Sequence, residues 1–299
     1  MRGSDRDAFS KRHPLVNFVF FIGAIGCAAV IQHPVYLLAG AIGAGSYHLL
    51  LNGRKGWRMI LGMIPMFLFL TAVNPLFNIY GATVLFHVFG RPYTMEALMY
   101  GAAIAAVFMV MLLWFGCYNV VLTSDKFTSL FGDLIPALSL LRVMVLRMIP
   151  NFLRKAKQLM GARRSIGKGA GEESTTKEKL SDGMTVLSAL TDWALEGSVI
   201  TGDSMRARGY GVAKRTSFQI YRMTCMDWTL LALISLLLAV VIGFAAGGST
   251  AASFTPDLFF APIAGWDALG LIAYCLFLLI PTALHVKEAI QWHISRSKI

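Results

Sequence analysis

The feature that most constrains this sequence is a series of six apolar runs, each close to the length that crosses a lipid bilayer. The runs cover residues 15–31, 34–51, 59–73, 96–122, 228–248 and 266–284. A membrane-spanning helix needs about 20 mostly apolar residues, and somewhat fewer where flanking charged side chains reach back to the interface. The sequence therefore predicts an all-α fold, a polytopic membrane protein with about six transmembrane helices.

Composition supports the membrane assignment and excludes a small secreted domain. Hydrophobic residues make up 56% of the 299 residues and charged residues only 14%, whereas about a quarter of an ordinary soluble domain is charged. The cysteines Cys27, Cys117 and Cys275 lie in apolar runs, and no CxxC pair occurs. A disulfide framework is therefore not expected.

The positions of the basic residues predict the orientation of the spans. Cytoplasmic loops accumulate lysine and arginine, whereas translocated loops do not. With six spans, every one of the 27 basic residues except Arg91 falls on the same side of the membrane as the two termini. We therefore expect both termini in the cytoplasm and a lipid bilayer around the spans. This topology also accounts for the net charge of +11, so no nucleic-acid partner is expected.

The stretch 74–94, behind the third run, is largely uncharged but contains several residues that interrupt a helix. These are Asn74, Asn78, Gly81, Gly90 and Pro92. A seventh span at 82–89 is too short to cross the bilayer. We predict a shallow re-entrant or interfacial segment.

A long, more polar insert divides the chain into three parts. We predict an N-terminal bundle of four spans over 1–122, a cytoplasmic region over 123–227, and two further spans with a basic tail over 228–299. In the insert, apolar residues at helical spacing predict one helix over 134–165, with Pro136 in an early turn and a kink at Pro150. Residues 167–180 are small or charged and predict a flexible linker.

A second long helix is predicted to follow the linker. Ser181 is a good N-cap, and Gly209 stands where a glycine ends a helix. About 28 residues of helix extend roughly 40 Å, so this element could carry a displacement far from its origin. Apolar residues at three- and four-residue spacing predict one stripe along it: Met184, Leu187, Leu190, Ala194 and Leu195.

The arginines in the last turn of this second helix, Arg206 and Arg208, have two interpretations. Cations are favourable at a helix C-terminus and at a cytoplasmic membrane surface, so both arginines would serve only the helix and the lipid interface. Alternatively, Ala207, Arg208 and Gly209 form a plug for a partner protein. The small alanine permits close approach of the partner, and the guanidinium forms two hydrogen bonds with a partner carboxylate. Glycine allows the backbone a conformation that other residues disfavour.

The sequence contains no convincing catalytic or nucleotide-binding signature. Gly161, Gly167 and Lys168 resemble a phosphate loop, but five residues rather than four separate the glycines, and Gly169 follows the lysine. No HExxH or GxSxG motif occurs, and the 6 histidines are scattered. We therefore expect no catalytic residue, no cofactor and no metal site in this chain.

Several stretches, taken in order along the chain, resemble one family of transport proteins. They are RHPLVNF, QHPVYL, NPLFN, LRMIPNF and TDWALEGSVITGDSMRARGYG. Together they resemble the transmembrane T component of energy-coupling factor (ECF) transporters. The resemblance implies two long cytoplasmic coupling helices. Their ends dock onto two ATP-binding cassette ATPase subunits, and their shafts hold a small substrate-binding membrane subunit.

The resemblance also implies which residues dock. Ala207, Arg208 and Gly209 match the docking motif of the second coupling helix, with Arg206 beside it.

The first docking motif departs from the family pattern. With Gly167 as its anchor, Ser165 and Ile166 take the alanine and arginine positions. Either Arg163 or Arg164 substitutes for the missing arginine, or this end docks mainly by shape. We expect partial substitution.

The function implied by the resemblance is a non-catalytic coupling subunit of an ATP-driven vitamin or metal importer in a prokaryotic plasma membrane, with ATP hydrolysis in separate subunits. Two other classes remain open. An integral membrane enzyme would bind lipid phosphate with the basic insert, and a self-sufficient secondary transporter would need polar or ionisable groups near the bilayer midplane. The transported substrate does not follow from this chain, because the family delegates recognition to another subunit.

Overall fold

The computed structural model describes residues 7–78, 81, 83–88, 91–131, 136–169, 175–212, 221–254, 258–263 and 265–296. The chain divides into two compact units. The membrane unit comprises residues up to 130 together with residues from 221 onwards, and the helix-pair unit comprises residues 131–220.

The described residues are mostly helical. In chain order the elements are α1 (Pro14–Val30), α2 (Pro34–Asn52), α3 (Arg54–Phe77), β1 (Val84–Val88), β2 (Arg91–Thr94), α4 (Met95–Val121), α5 (Ser124–Phe131), α6 (Pro136–Ser165), α7 (Thr176–Ala207), α8 (Cys225–Ala246), β3 (Ala252–Ser253), β4 (Phe259–Phe260) and α9 (Asp267–Arg296).

Each of the six predicted spans is a helix of the membrane unit. Within the described residues, α2, α3, α4, α8 and most of α9 are long and apolar enough to cross a membrane. The remaining helix, α1, is apolar but has only 17 residues. The prediction of an all-α, polytopic membrane protein is confirmed.

Two predicted boundaries are wrong, because the helices continue through polar residues. The loop expected after the second span is reduced to Gly53, which has a φ of 54°, and α3 already begins at Arg54. Lys55 and Arg58 therefore lie in the first turns of α3. Similarly, α9 continues to Arg296, well past the predicted end of the last span. Long basic side chains suit helix ends that extend beyond the apolar layer.

The stretch 74–94 contains a β-hairpin that the sequence pattern did not predict. Strands β1 and β2 pair antiparallel, and Gly90 lies outside the described residues. The Glu96 carboxylate binds Thr83, the residue directly before β1. Its Oε1 accepts hydrogen bonds from the Thr83 hydroxyl at 2.6 Å and from the Thr83 N–H at 3.2 Å. At Gly81, an added Cβ atom would clash with the Glu96 carboxylate.

Aromatic side chains form the centre of the membrane unit. The Phe20 ring centroid lies 5.2 Å from that of Phe9, 5.5 Å from Trp114 and 5.0 Å from Phe277, and all four side chains are fully buried. Helices in lipid associate by packing rather than by a hydrophobic driving force between them. These rings therefore join the N-terminal segment, α1, α4 and α9 into one core.

A buried carboxylate ties the N-terminal segment to this core. Asp7 accepts a hydrogen bond from the Tyr47 hydroxyl at 2.6 Å and from the Ser10 N–H at 3.1 Å, and its other oxygen lies 3.0 Å from His285 Nδ1. Lys126 Nζ donates to the Ser10 carbonyl. Burial lowers the pKa of Lys126, while the negative charge of Asp7 opposes that shift. The segment before α1 is therefore an integral part of the membrane unit.

In the helix-pair unit, α6 matches the predicted helix over the described residues, since residues 134–135 lie outside them, and the kink at Pro150 stays a prediction. It begins at Pro136 and continues as a helix through Pro150 to Ser165. Proline fits the first turn, where its missing N–H has no helical partner.

The second helix of this unit begins earlier than predicted. Thr175, not Ser181, is the N-cap of α7, and Thr175 and Glu178 cap each other reciprocally. This Thr-x-x-Glu pattern is a sequence signature of a helix start. The predicted linker 167–180 is therefore shorter, because residues 176–180 are helical. Residues 170–174 lie outside the described part of the chain.

Candidate docking site on the helix pair

The two helices of this unit run in opposite directions along their contact. The Phe152 ring stands edge-on to Trp193, with centroids 5.5 Å apart, and Arg163 Nε donates to Asp182 Oδ1 at 2.5 Å. Phe152 precedes Arg163 on α6, whereas their partners on α7 occur in the reverse order, so the two helices are antiparallel. The end of α6 lies beside the start of α7, and the end of α7 lies about 38 Å farther along that helix at 1.5 Å per residue.

The end of α7 is a left-handed glycine cap. Arg208 is the C-cap residue, and Gly209 follows with a φ of 78°. The Gly209 N–H donates to the Arg206 carbonyl at 2.9 Å, and the Tyr210 N–H donates to the Met205 carbonyl at 3.0 Å. These two bonds define a Schellman motif, which satisfies carbonyls that a helix end leaves open. The predicted helix stop at Gly209 is confirmed.

The end of α6 has the same geometry. Gly167 has a φ of 71°. Its N–H donates to the Arg164 carbonyl at 3.0 Å, and the Lys168 N–H donates to the Arg163 carbonyl at 3.0 Å. This second Schellman motif makes Gly167 the equivalent of the glycine that ends α7.

Matching the two caps position by position aligns their side chains. Arg164 takes the position of Arg206, and Ile166 takes the position of Arg208. The Ile166 side chain is 68% exposed. One helix end therefore carries an arginine at its cap position, and the other carries an exposed apolar side chain there.

The arginines at the end of α7 are available to a partner. Arg206 and Arg208 are exposed, and neither side chain forms a hydrogen bond or ion pair with another described residue. Beside them, Tyr210 is 55% exposed and Val212 is 86% exposed. Arginine with tyrosine is the composition of energetically important interface positions. Sequence reasoning missed Tyr210 and Val212, although large apolar residues directly after a capping glycine are a detectable signal.

The arginines at the end of α6 are not equivalent to each other. Arg163 is engaged within the unit, because it pairs with Asp182 and donates to the Lys168 carbonyl at 3.3 Å. Arg164 is exposed, and its side chain forms no polar contact with another described residue. Of the two predicted substitutes, Arg164 is the one whose guanidinium contacts no polar group of the described residues.

Both helices also expose apolar stripes along their length. The predicted apolar positions of α7 are largely uncovered rather than buried within the chain. Large apolar side chains that are about half exposed or more recur along each helix, three or four residues apart or at a multiple of that spacing. They are Leu141, Val145, Ile149 and Leu153 on α6, and Leu180, Met184, Leu187, Leu195 and Val199 on α7. Extended apolar surfaces of this kind mark protein or membrane contacts.

The two helix ends are described by the groups that they expose. The two helix ends offer guanidinium groups, exposed apolar side chains and fixed backbone geometry. Among the described residues, no three or more His, Cys, Asp or Glu side chains are grouped to hold a metal ion. The fold and these ends define a multi-pass membrane protein whose paired helices present two glycine-capped, arginine-bearing ends. Comparisons with protein-family models and with curated proteins give no match.

Proposed function

We propose that this chain is the coupling subunit of an ATP-driven importer of the energy-coupling factor type. It transmits the motion of two ATP-binding cassette ATPases to a small membrane subunit that binds a micronutrient, and it catalyses no reaction itself. The setting is a prokaryotic plasma membrane, with both termini in the cytoplasm, where the ATP is.

The observation that carries the proposal is the pair of matching helix ends. Both coupling helices stop in a Schellman motif at a left-handed glycine, Gly167 or Gly209. In each helix an arginine, Arg164 or Arg206, lies three positions before that glycine. The ends lie at opposite ends of the pair, about 38 Å apart along α7. Two separate helix ends of similar structure would bind two copies of one partner, or two related partners. A single partner pocket could not reach both ends.

The apolar stripes support a second partner. The exposed leucine, valine and isoleucine side chains of α6 and α7 do not find cover within the described chain. A small, apolar substrate-binding subunit would cover such stripes. When the ATPases close on ATP, they would move the ends of α6 and α7 relative to each other. The angle at which the two helices cross would then change. The apolar surface offered to the substrate-binding subunit would change with it.

The proposal is tested by removing Arg208 while keeping its helix intact. In Arg208→Ala the backbone cap remains, and an interface arginine of this kind contributes about 2 kcal/mol or more, or at least about 30-fold in Kd. The tagged chain is co-expressed with the ECF ATPase pair of the same genome, purified, and the retained ATPase is quantified. Substrate uptake is measured in the same cells. We expect normal membrane insertion with loss of ATPase association and uptake.

The matched control is Arg154→Ala, which removes an exposed arginine from the shaft of α6. It should retain the ATPases, because it leaves both helix ends unchanged. Normal ATPase association and uptake in Arg208→Ala would refute the coupling assignment. An integral membrane enzyme would be supported by turnover of a lipid phosphate by the purified chain. A secondary transporter would be supported by proton- or sodium-driven uptake in liposomes that contain this chain alone.

A further inference from the structure

The membrane unit contains an apolar cavity that is open to its surroundings and that has no part in the proposed coupling function. Its volume is about 460 Å³, within the range of about 300–1,000 Å³ that is usual for ligand pockets. Helices α2, α3 and α4 form its walls, and Phe254 and Phe260, from the β3–β4 segment, contribute at one end. Every residue that lines it is apolar.

The cavity has the depth of one membrane leaflet. On α4 its lining runs from Met99, near the start of the helix, to Met109 at about the middle. Ten residues of helix rise about 15 Å, which is half of a hydrocarbon core about 30 Å thick. On the other walls, Pro34 begins α2, whereas Ile64 lies at the middle of α3. The cavity therefore extends from the β-hairpin side of the bilayer to its midplane.

The lining decides what can occupy this space. A buried water needs two to four polar partners, and the lining side chains provide none. An empty cavity would forfeit dispersion contacts along all of its walls. The surrounding solvent of these three helices is hydrocarbon. An acyl chain is apolar, has the length of one leaflet and is present in large excess, so it satisfies each of these conditions.

The packing of α3 explains why the space remains open. Within α3, only Gly56, Met63 and Pro75 are buried. On α4, the facing positions Ala102, Ala103 and Ala106 are small. Small residues in membrane helices usually allow close approach of the backbones, but here they leave a gap between the helices.

We propose that this cavity is a specific lipid site, which holds one acyl chain of a phospholipid from the leaflet on the β-hairpin side. The chain completes the packing between α2, α3 and α4, and it differs in this respect from the lipids that surround the outer surface of the bundle. The site is independent of the ATPase-docking function.

The test uses the full-length chain in nanodiscs of phosphatidylcholine and phosphatidylglycerol that contain a trace of phospholipid with a diazirine on one acyl chain. After photolysis, labelled residues are mapped by mass spectrometry. We expect several-fold more labelling at Ala102 and Met109 than at Leu236, which is 63% exposed on α8. Ala106→Phe fills the cavity and should abolish this enrichment. The matched control Ala239→Phe adds the same ring to an exposed alanine of α8 and should preserve it.

Three results would overturn the proposal. Equal labelling of the cavity and Leu236 would show ordinary surrounding lipid, and enrichment that persists in Ala106→Phe would place the label elsewhere. Absence of label in the cavity of the isolated chain would show that no acyl chain occupies it. Should Ala106→Phe fail to insert, Ala102→Val makes a smaller addition to the same wall and should reduce the labelling in part.

Discussion

The backbone cap at the end of α7 gives the sharpest quantitative prediction. Gly209 has a φ of 78°, and a Cβ added there would meet only Val212, at 4.0 Å. Gly209→Ala therefore introduces no steric clash with another residue. Its whole effect comes from placing an L-residue in the left-handed region, which costs about 1–2 kcal/mol.

A second glycine of α7 supplies a control with the opposite sign. Gly202 lies in the interior of the helix, and a Cβ there would meet nothing within 4 Å. Alanine is favoured over glycine in a helix interior by about 0.8–1.0 kcal/mol. Gly202→Ala should therefore stabilise α7, whereas Gly209→Ala should loosen its end, although both changes add one methyl group.

The assay is hydrogen–deuterium exchange of the peptide that covers the end of α7, together with the affinity for the ATPase pair. In Gly209→Ala, the amide protons of residue 209 and of Tyr210 should exchange about 5- to 30-fold faster than in the unchanged chain, since 1–2 kcal/mol corresponds to that factor. ATPase affinity should fall by up to the same factor if docking needs the capped geometry. Unchanged exchange in Gly209→Ala would refute the assignment of the Schellman cap, and unchanged affinity would show that docking does not depend on it.

Two further predictions concern the membrane unit. Tyr47→Phe removes the hydrogen bond to the buried Asp7 carboxylate and should lower the free energy of unfolding by about 1.5–3 kcal/mol. Thermal unfolding in detergent should show this against Tyr210→Phe, an exposed control; equal melting temperatures would contradict a structural role for Asp7. Gly81→Ala should destabilise the β-hairpin by more than the roughly 1–3 kcal/mol of positive-φ strain, because its Cβ would clash with Glu96. Limited proteolysis should detect faster cleavage near the hairpin, and wild-type resistance would argue against this packing.

The helices follow from local sequence information. Apolar runs predicted the six apolar helices that the structure describes in the membrane unit, and the capping glycine predicted where α7 ends. The boundaries were less accurate, because Arg54 and Lys55 are compatible with both a loop and the first turn of a helix, and only the geometry of Gly53 distinguishes them. The start of α7 was missed although its capping signature, Thr175 and Glu178, is present in the sequence.

The candidate docking site was only partly predictable. The sequence identified Arg206, Arg208 and Gly209 as one group, because the features of a helix end are contiguous in the chain. It left Arg163 and Arg164 as equal alternatives. The choice depends on Asp182, which lies on the other helix and pairs with Arg163.

The sequence by itself determined the elements of this protein: apolar helices of membrane length, a long polar insert, and helix ends marked by glycine and arginine. Only the tertiary structure decided which side chains meet. It placed Asp7 between Tyr47 and His285, and it left a leaflet-deep gap among α2, α3 and α4. The physical reason is that helix formation depends on neighbours within one or two turns, whereas buried hydrogen bonds and cavities depend on residues that are distant in the chain.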